Sequence, residues 1–546
     1  MKRFSKKLDH LGLVAGMCDE VGITKMVDEM IPPDQRAELS VGECLKLMIV
    51  NAMGFSARPL YLEADFFSHH AFNRLLGRDV PADKITDDRL GRALDRLYEA
   101  GCDRLFSTIA CAAFKQFQID STFRHLDTTS MSVYGEYEEG MGLVTFGYSK
   151  DNQPGLKQFM ISLMSSQDGD VPMLAKTLGG NTADKTHFLD TLQKVKEGMS
   201  DMQEPAYYVC DSAGYTKEIL QTISESIKWV SRVPQTLREV KQIGKQISKE
   251  AMHPCVEGYK VAELGAIYGG VKQRWLVVFS EKRKTQAIRT LQTHITKEAA
   301  QAKKELKKLQ ATEYSCSKDA ERALRSWEEK LKYHKCGSVQ MRHQVKRTGR
   351  GRPKITDSEV VSYRLECEVE RDEAKITHAE EGKGLFIIAT NELDSDALPA
   401  EQLLSVYKDG QQSVERGFRL LKDPRFMTSS VFLKKEQRII ALGLVMCLSL
   451  LIYTLTQRKL RLELQKQKIT IPSQEDHHSQ PDWEAHQETY NALAMRWIYE
   501  CFEGITLFYE ETGKTWREFV LNIEQLHTDV LHLLGAAYQK IYEEAA

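Results

Sequence analysis

Three acids, each set among residues of a different pattern, carry the chemistry this sequence can do. Asp127 lies inside HLDTTSMS, a run of apolar and hydroxyl-bearing residues, and Asp211 closes another, AYYVCD at 206–211. Such runs read as strands suited to burial, where an ionised carboxylate is costly unless a cation pairs with it. If the first and fourth strands of this region are neighbours, both carboxylates emerge at one sheet edge. Two acids so placed repel, and a divalent cation resolves the repulsion. Oxygen ligands with open water positions favour Mg2+ or Mn2+.

The third acid is Glu415, in YKDGQQSVERGFRLLK from Tyr407 to Lys422. As a helix, this stretch sets Val414, Phe418 and Leu421 on an apolar stripe and Glu415, Arg419 and Lys422 on an adjacent ridge. Alone, that ridge is an ordinary solvated face with an i,i+4 ion pair, and each Asp alone reads as a turn cap or a paired core acid. Together, strand, strand and helix supply ligands for two ions about 4 Å apart. That arrangement activates a water or 3′-hydroxyl and stabilises the leaving 3′-oxygen of a phosphodiester.

The elements that must position these residues follow from the patterning. Across 546 residues, 42% are hydrophobic and 28% charged, an ordinary globular composition. Lys+Arg 75 against Asp+Glu 77 gives a net charge of -2, so no global basic field marks a nucleic-acid binder, though local patches still can. The 11 cysteines form no C-x-x-C pair, which suits reduced thiols and a cytoplasmic location. The apolar run at the start is broken by Asp9 and His10, unlike a signal peptide. Ile439 to Leu455 is uncharged and apolar. As a helix it is about 25 Å long, short for a bilayer core of about 30 Å, so a buried core helix and no membrane is the expectation.

In chain order, residues 1–115 read as a helical domain, with a capping box at Ser40 and Glu43 and a break at Gly101. Either plain packing or recognition of DNA ends accounts for it. Strand patterns follow at 123–133, 142–149 and 156–166, then a helix at 183–199 and strands at 206–211 and 226–233. A meander followed by alternating helix and strand makes an α/β core with a mixed sheet, whose first part spans 116–233. An insertion domain at 234–382 has charged helices at 281–309 and 318–335 and a basic stretch, Arg342 to Lys354, containing Arg347, Arg350 and Arg352. The core resumes at 383–426, and 427–546 reads as mostly helical, with a polar linker at 468–486.

These motifs resemble the DDE transposases of bacterial insertion sequences: HLDTTS around Asp127, GYSKDNQPGLKQ at 147–158, GGNTADK at 179–185, CDSAGY at 210–215, SRVPQT at 231–236 and VERGFRLLK at 414–422. The resemblance covers nearly the whole chain and implies a ribonuclease-H-like catalytic core. It makes Asp127, Asp211 and Glu415 the catalytic metal ligands, with two Mg2+ (or Mn2+) ions. The long gap between Asp211 and Glu415 implies the insertion domain of relatives carrying a Tyr-Arg-Glu-Lys signature. Glu415 and Lys422 keep that signature's seven-residue step, and the Lys is expected to hold transposon-end phosphate. The front half departs from it. Tyr407 lies eight residues before the Glu instead of seven, and Gln411 stands where the Arg belongs. Lys408, Arg416 and Arg419 are the candidates for its phosphate role. RGRP at 350–353 resembles an AT-hook core, whose Arg side chains enter a narrow minor groove. A basic turn is the plainer reading, with phosphate contact by the 342–354 patch including Lys354. The implied partners are double-stranded DNA, as element ends and target, and a second copy of the chain on that DNA. The rival readings are a ribonuclease-H-like nuclease or resolvase that cuts without joining, and a non-catalytic DNA-binding descendant.

Overall fold

The computed structural model describes residues 2–34, 36–55, 63–134, 137, 142–150, 153, 155–182, 191, 207–240, 243, 247, 251–347, 359–423, 433–469, 471, 495–512 and 515–543. The fold is mixed α/β, with many helices and a sheet of mixed pairing. The chain divides into two units: Met1–Ser231 with Gly269–Val271 and Gln402–Ala546, and Arg232–Tyr268 with Lys272–Glu401.

The first unit opens with strand β1 (Arg3–Lys7), then helices α1 (Leu11–Val21), α2 (Ile23–Met30), α3 (Val41–Met53), α4 (Asp87–Ala100) and α5 (Cys102–Gln116). Ser40 and Glu43 start α3 reciprocally. Ser40 Oγ accepts from Glu43 N at 3.0 Å, and Glu43 Oε2 accepts from Ser40 N at 2.8 Å. Gly101, at φ 89, a region costly for any side chain, separates α4 from α5.

The strands β2 (Phe123–Val133), β3 (Lys157–Ser166), β4 (Pro172–Gly179), β5 (Tyr207–Cys210) and β6 (Lys228–Arg232) run in the order β4-β3-β2-β5-β6. The β4, β3 and β2 strands are antiparallel neighbours, whereas β5 lies parallel to β2 and β6 parallel to β5. The β5 to β6 crossover is helix α6 (Lys217–Ile223), capped by Thr216. Nearly every residue of β2 and β3 is buried, the pattern of strands covered on both faces. Arg124 is buried within this layer. It donates to Tyr208 Oη at 2.6 Å, its register partner on β5.

Helix α7 (Ala400–Leu421) carries the Glu415 ridge, and α8 (Glu436–Gln467) is the axis on which α1, α3, α4 and α5 pack. By length and composition α8 is apolar enough to cross a membrane, and 89% of its apolar window is buried inside the fold. Its hydroxyls bond back along the helix, Ser449 to Val445 O and Thr456 to Ile452 O, so none is buried unpaired.

Two expectations are amended here, and two lie largely outside the described residues. The described residues of the C-terminal region are mostly helical, as expected, but they include a β-hairpin that was not expected. After α9 (Met495–Cys501), Thr506–Thr512 (β7) and Thr515–Leu521 (β8) form a hairpin that pairs with β1, before α10 (Gln525–Leu534) and α11 (Ala536–Tyr542). Phe4 stacks on Tyr509, its register partner across the β1/β7 pair. Residues 142–149 make a single bridge, Thr145 to Gln158, instead of a strand. The polar linker and the 183–199 helix lie outside the described residues apart from residues 468, 469 and 471 and Thr191.

In the second unit, the strand Leu385–Thr390 pairs antiparallel with Val271–Ser280, whose other neighbour is Tyr259–Tyr268. A long helix, Glu281–Ala311, capped by Ser280, and a shorter one, Ser317–Glu328, enclose Ala302, Leu306, Leu324, Trp327 and Leu365. The second helix stops at Glu328, short of the expected 335. Leu331 turns into that core, and His334–Cys336 then pairs with Val369–Arg371 as a strand. The start of the basic stretch is also strand, with Gln340–Arg347 paired to Glu359–Glu366.

Candidate active site

The register places the two aspartates side by side. On the parallel β2/β5 pair, His125 is level with Val209, and Asp127 and Asp211 each lie two residues further on. Side chains two residues apart share a face, so both acids emerge on the face that carries His125. Burial is the main cause of the rise of the Cys210 thiol pKa to about 12, and both carboxylates add to it, so both lie close to it.

Local structure anchors each acid. Asp127 Oδ1 accepts from Thr128 N at 2.7 Å and lies 3.8 Å from Lys150 Nζ. The Lys150 ammonium is itself fixed by Thr128 O at 2.7 Å and Thr128 Oγ1 at 2.8 Å. Asp211 caps the turn after β5, accepting from Ala213 N at 2.8 Å, and Ser231 Oγ donates to its carbonyl at 3.0 Å.

Helix α7 reaches this face through Gly410. A Cβ there would fall on the His125 ring, so only glycine lets the helix lie against β2. Burial pushes His125 down to about 4, against the opposing pull of Asp170, a hydrogen bond with Gln167 and Asp409, leaving a neutral imidazole on the floor. Glu415 is five residues past Gly410, roughly 7.5 Å along the helix. Asp127 is two residues past His125, roughly 6.6 Å along the strand.

Asp127, Asp211 and Glu415 all line one cleft of about 1280 Å³. Lys150, Arg416, Arg419, Lys422, Arg461 and Arg496 line it too. Besides Lys150 beside Asp127, Arg416 is ion-paired with Asp170 at 2.8 Å and Arg496 with Asp423 at 3.1 Å. Burial pulls the Arg461 pKa below its ordinary value. Among the described residues, no three His, Cys, Asp or Glu side chains close around a single point. The acids share a cleft without forming a closed cage.

Of the residues expected from sequence, Asp127, Asp211, Glu415, Lys422, Arg419 and Tyr407 line this cleft, Tyr407 as a buried wall. Arg347 ends a strand of the second unit. Arg350, Arg352 and Lys354 lie outside the described residues. Sequence reasoning missed Arg461 and Arg496. For Arg461 there was a signal: Tyr453, Gln457 and Arg461 repeat every four residues, a polar stripe on an otherwise apolar helix, and all three line the cleft.

The model of a family described as "Domain of unknown function (DUF4277)" matches residues 4–111, the N-terminal helices. No curated protein matches the chain. Among solved structures, the chain is similar to a cryo-EM structure of a piggyBac transposase synaptic complex with hairpin DNA. The identity is 12% and the TM-score 0.37, over 92% of this chain and 85% of that one. An overlap that loose carries no argument about fold or activity.

Proposed function

We propose that the chain is a DNA transposase of the DDE type from a bacterial insertion sequence, cutting element ends and joining their 3′-ends to target DNA. The observation that carries this reading is the convergence of Asp127, Asp211 and Glu415, from strand, strand and helix, on one cleft edged with cations. The strand order supports it. Three antiparallel strands followed by two parallel ones, with the first and fourth adjacent, is the arrangement a ribonuclease-H-like core requires.

The donor set fits a hard divalent ion, because all three groups are carboxylates and the nearest imidazole is buried and neutral. Asp127, Asp211 and Glu415 would hold Mg2+ (or Mn2+). Bound there as a pair, the ions lower the pKa of the attacking water or 3′-hydroxyl and stabilise the leaving oxygen. The chain's own residues do the rest. Arg419 and Lys422, one and two helical turns past Glu415 on the same ridge, grip phosphates and orient the strand. Lys150 holds Thr128, and with it the backbone that aims Asp127. The 234–382 insertion and the helices of 1–115 hold DNA, two copies act on paired ends, and the work is cytoplasmic.

The test is strand transfer. Full-length protein is incubated with Mg2+, target plasmid and a duplex ending in a pre-cut 3′-OH, taken from inverted repeats flanking the coding DNA. Joined product that disappears in Asp127→Ala supports the reading. Cutting without joining indicates a nuclease or resolvase, and binding without metal-dependent nicking indicates a non-catalytic descendant.

A further inference from the structure

Three aromatic rings are exposed at the end of β2 and on the segment that leads to the cleft residue Lys150: Tyr134 is 57% exposed, Phe146 55% and Tyr148 88%. An isolated exposed ring needs no explanation, but several on a pinned backbone do. Thr145 exchanges both backbone hydrogen bonds with Gln158, at 3.1 and 2.9 Å, which sets Phe146 opposite Lys157. The Lys157 ammonium lies 5.7 Å over the Phe146 ring. Gln158 Nε2 donates to Tyr148 O at 3.2 Å and to Gly180 O at 2.8 Å. Gly147 allows this approach, since a Cβ there would strike Gly180 O. Beyond Tyr148, Lys150 N donates to Ser130 Oγ at 3.1 Å, and its ammonium reaches to 3.8 Å from the Asp127 carboxylate.

The backbone is therefore held on both sides of Tyr148 while its ring faces water. Two residues of chain, at most about 7 Å, separate it from Lys150, which lines the cleft. We propose that Tyr148, with Phe146 beside it, is a stacking platform at the cleft rim for unpaired bases of a DNA strand. This rests on the reading of the cleft as a DNA-processing site. The ring supplies a π-face that any base can cover, and Lys150 and Lys157 supply the charge complementary to the strand's phosphates. Single-stranded DNA is the fitting occupant, because bases in a duplex already spend their faces on each other. The platform holds the strand beside the acids once its bases are unpaired.

The experiment uses the full chain with Asp127→Asn, to prevent cutting, and a 2-aminopurine-containing oligonucleotide without divalent metal. Stacking on Tyr148 quenches the probe. Tyr148→Ala is expected to lose the quench and weaken single-strand binding on the order of 10-fold, with blunt-duplex binding unchanged. Tyr148→Phe should keep both, and Tyr148→Leu neither, which separates ring stacking from bulk. A Phe146→Ala/Tyr148→Ala double variant that quenches and binds the single strand like its parent overturns the proposal. So does equal weakening on single strand and duplex. Because the readout needs no catalysis, ring-dependent binding here, together with a chain retaining Asp127 that never nicks DNA in Mg2+, would refute the transposase and keep the platform.

Discussion

Glu298 in the second unit and the three acids of the cleft are the same functional group used in opposite ways. Glu298 is closed off. Its Oε1 accepts from Lys332 N at 2.8 Å, and its Oε2 accepts from Tyr333 N and His334 Nδ1, both at 2.8 Å. Its side chain is 18% exposed. It clasps the long helix Glu281–Ala311 to the chain after the second helix, and three of a carboxylate's roughly four acceptor sites are taken up in doing so. The Asp127 side chain is 37% exposed, with its neighbours Asp211 and Glu415 also exposed and all three lining one cleft. A carboxylate enclosed by several of its own fold's donors builds structure; Asp127 and Asp211 accept from a neighbouring N–H yet line a cleft, where they are placed to bind.

Breaking that contrast at the cleft should produce the largest effect. Asp127→Asn, Asp211→Asn or Glu415→Gln keeps the side-chain shape and removes the charge. Each is expected to lower Mg2+-dependent nicking by about 10³-fold, since stabilisation worth several kcal/mol is removed, while the melting temperature stays near that of the parent. Nicking assays beside thermal melts decide it. A variant that melts early while retaining nicking would mean that its acid is a clasp like Glu298.

Gly410→Ala tests whether the helix must lie against β2 for the cleft acids to share a site. The new Cβ meets the buried His125 ring, which cannot retreat. The expected cost is about 1–3 kcal/mol of stability from overpacking, with nicking reduced on the order of 10²-fold as Glu415 shifts from its partners. Urea unfolding and single-turnover nicking measure the two effects. Unchanged values for both would show that the helix can sit elsewhere without penalty.

The difference between these acids was only partly legible in the sequence. The strand runs around Asp127 and Asp211 announced themselves by an acid in apolar surroundings, and the Glu415 ridge by its 3.6-residue period. Gly410 gave no such signal, because glycine in a helix reads as a weakness until the ring of His125 lies against it. Glu298 was invisible for a related reason. On a helix as charged as Glu281–Ala311 it looks like any solvated acid, and only the turn at Lys332–His334 converts it into a clasp. The pairing of the C-terminal hairpin with Arg3–Lys7 was missed because the two lie at opposite ends of the chain, and no local window contains both.

Glu298→Gln sharpens the other side of the comparison. Burial works to raise the Glu298 pKa, but the hydrogen bonds from His334, Lys332 N and Tyr333 N outweigh it, and the net value is lowered. A depressed carboxylate contributes stability that is present above its unfolded value, about 4.3, and is lost as pH falls through the folded value. The variant should therefore cost about 1–3 kcal/mol at neutral pH, with the deficit vanishing in acid and nicking by the cleft unaffected. Hydrogen exchange at the Lys332 to His334 amides, across a pH series, reads this locally. A deficit that persists below the folded value would assign the clasp to shape instead of charge.

Asp95 provides the smallest test and sets the lower bound of the contrast. It clasps the start of α8 by a two-pronged pair with Arg438, Nε to Oδ1 at 2.8 Å and Nη2 to Oδ2 at 2.7 Å, with side chains 29% and 26% exposed. The hydrogen bonds from Arg438 lower its pKa, so its contribution too is lost as pH falls. Water reaches this pair more readily than Glu298, and solvent screens it. Asp95→Asn should cost about 0.5–1 kcal/mol, shrinking further in high salt, whereas the Glu298→Gln deficit should hardly respond to salt. Parallel urea unfolding at low and high ionic strength separates them. If both deficits fall together with salt, enclosure is not what distinguishes a clasp from a ligand, and the cleft acids must owe their different use to the convergence of β2, β5 and α7 alone.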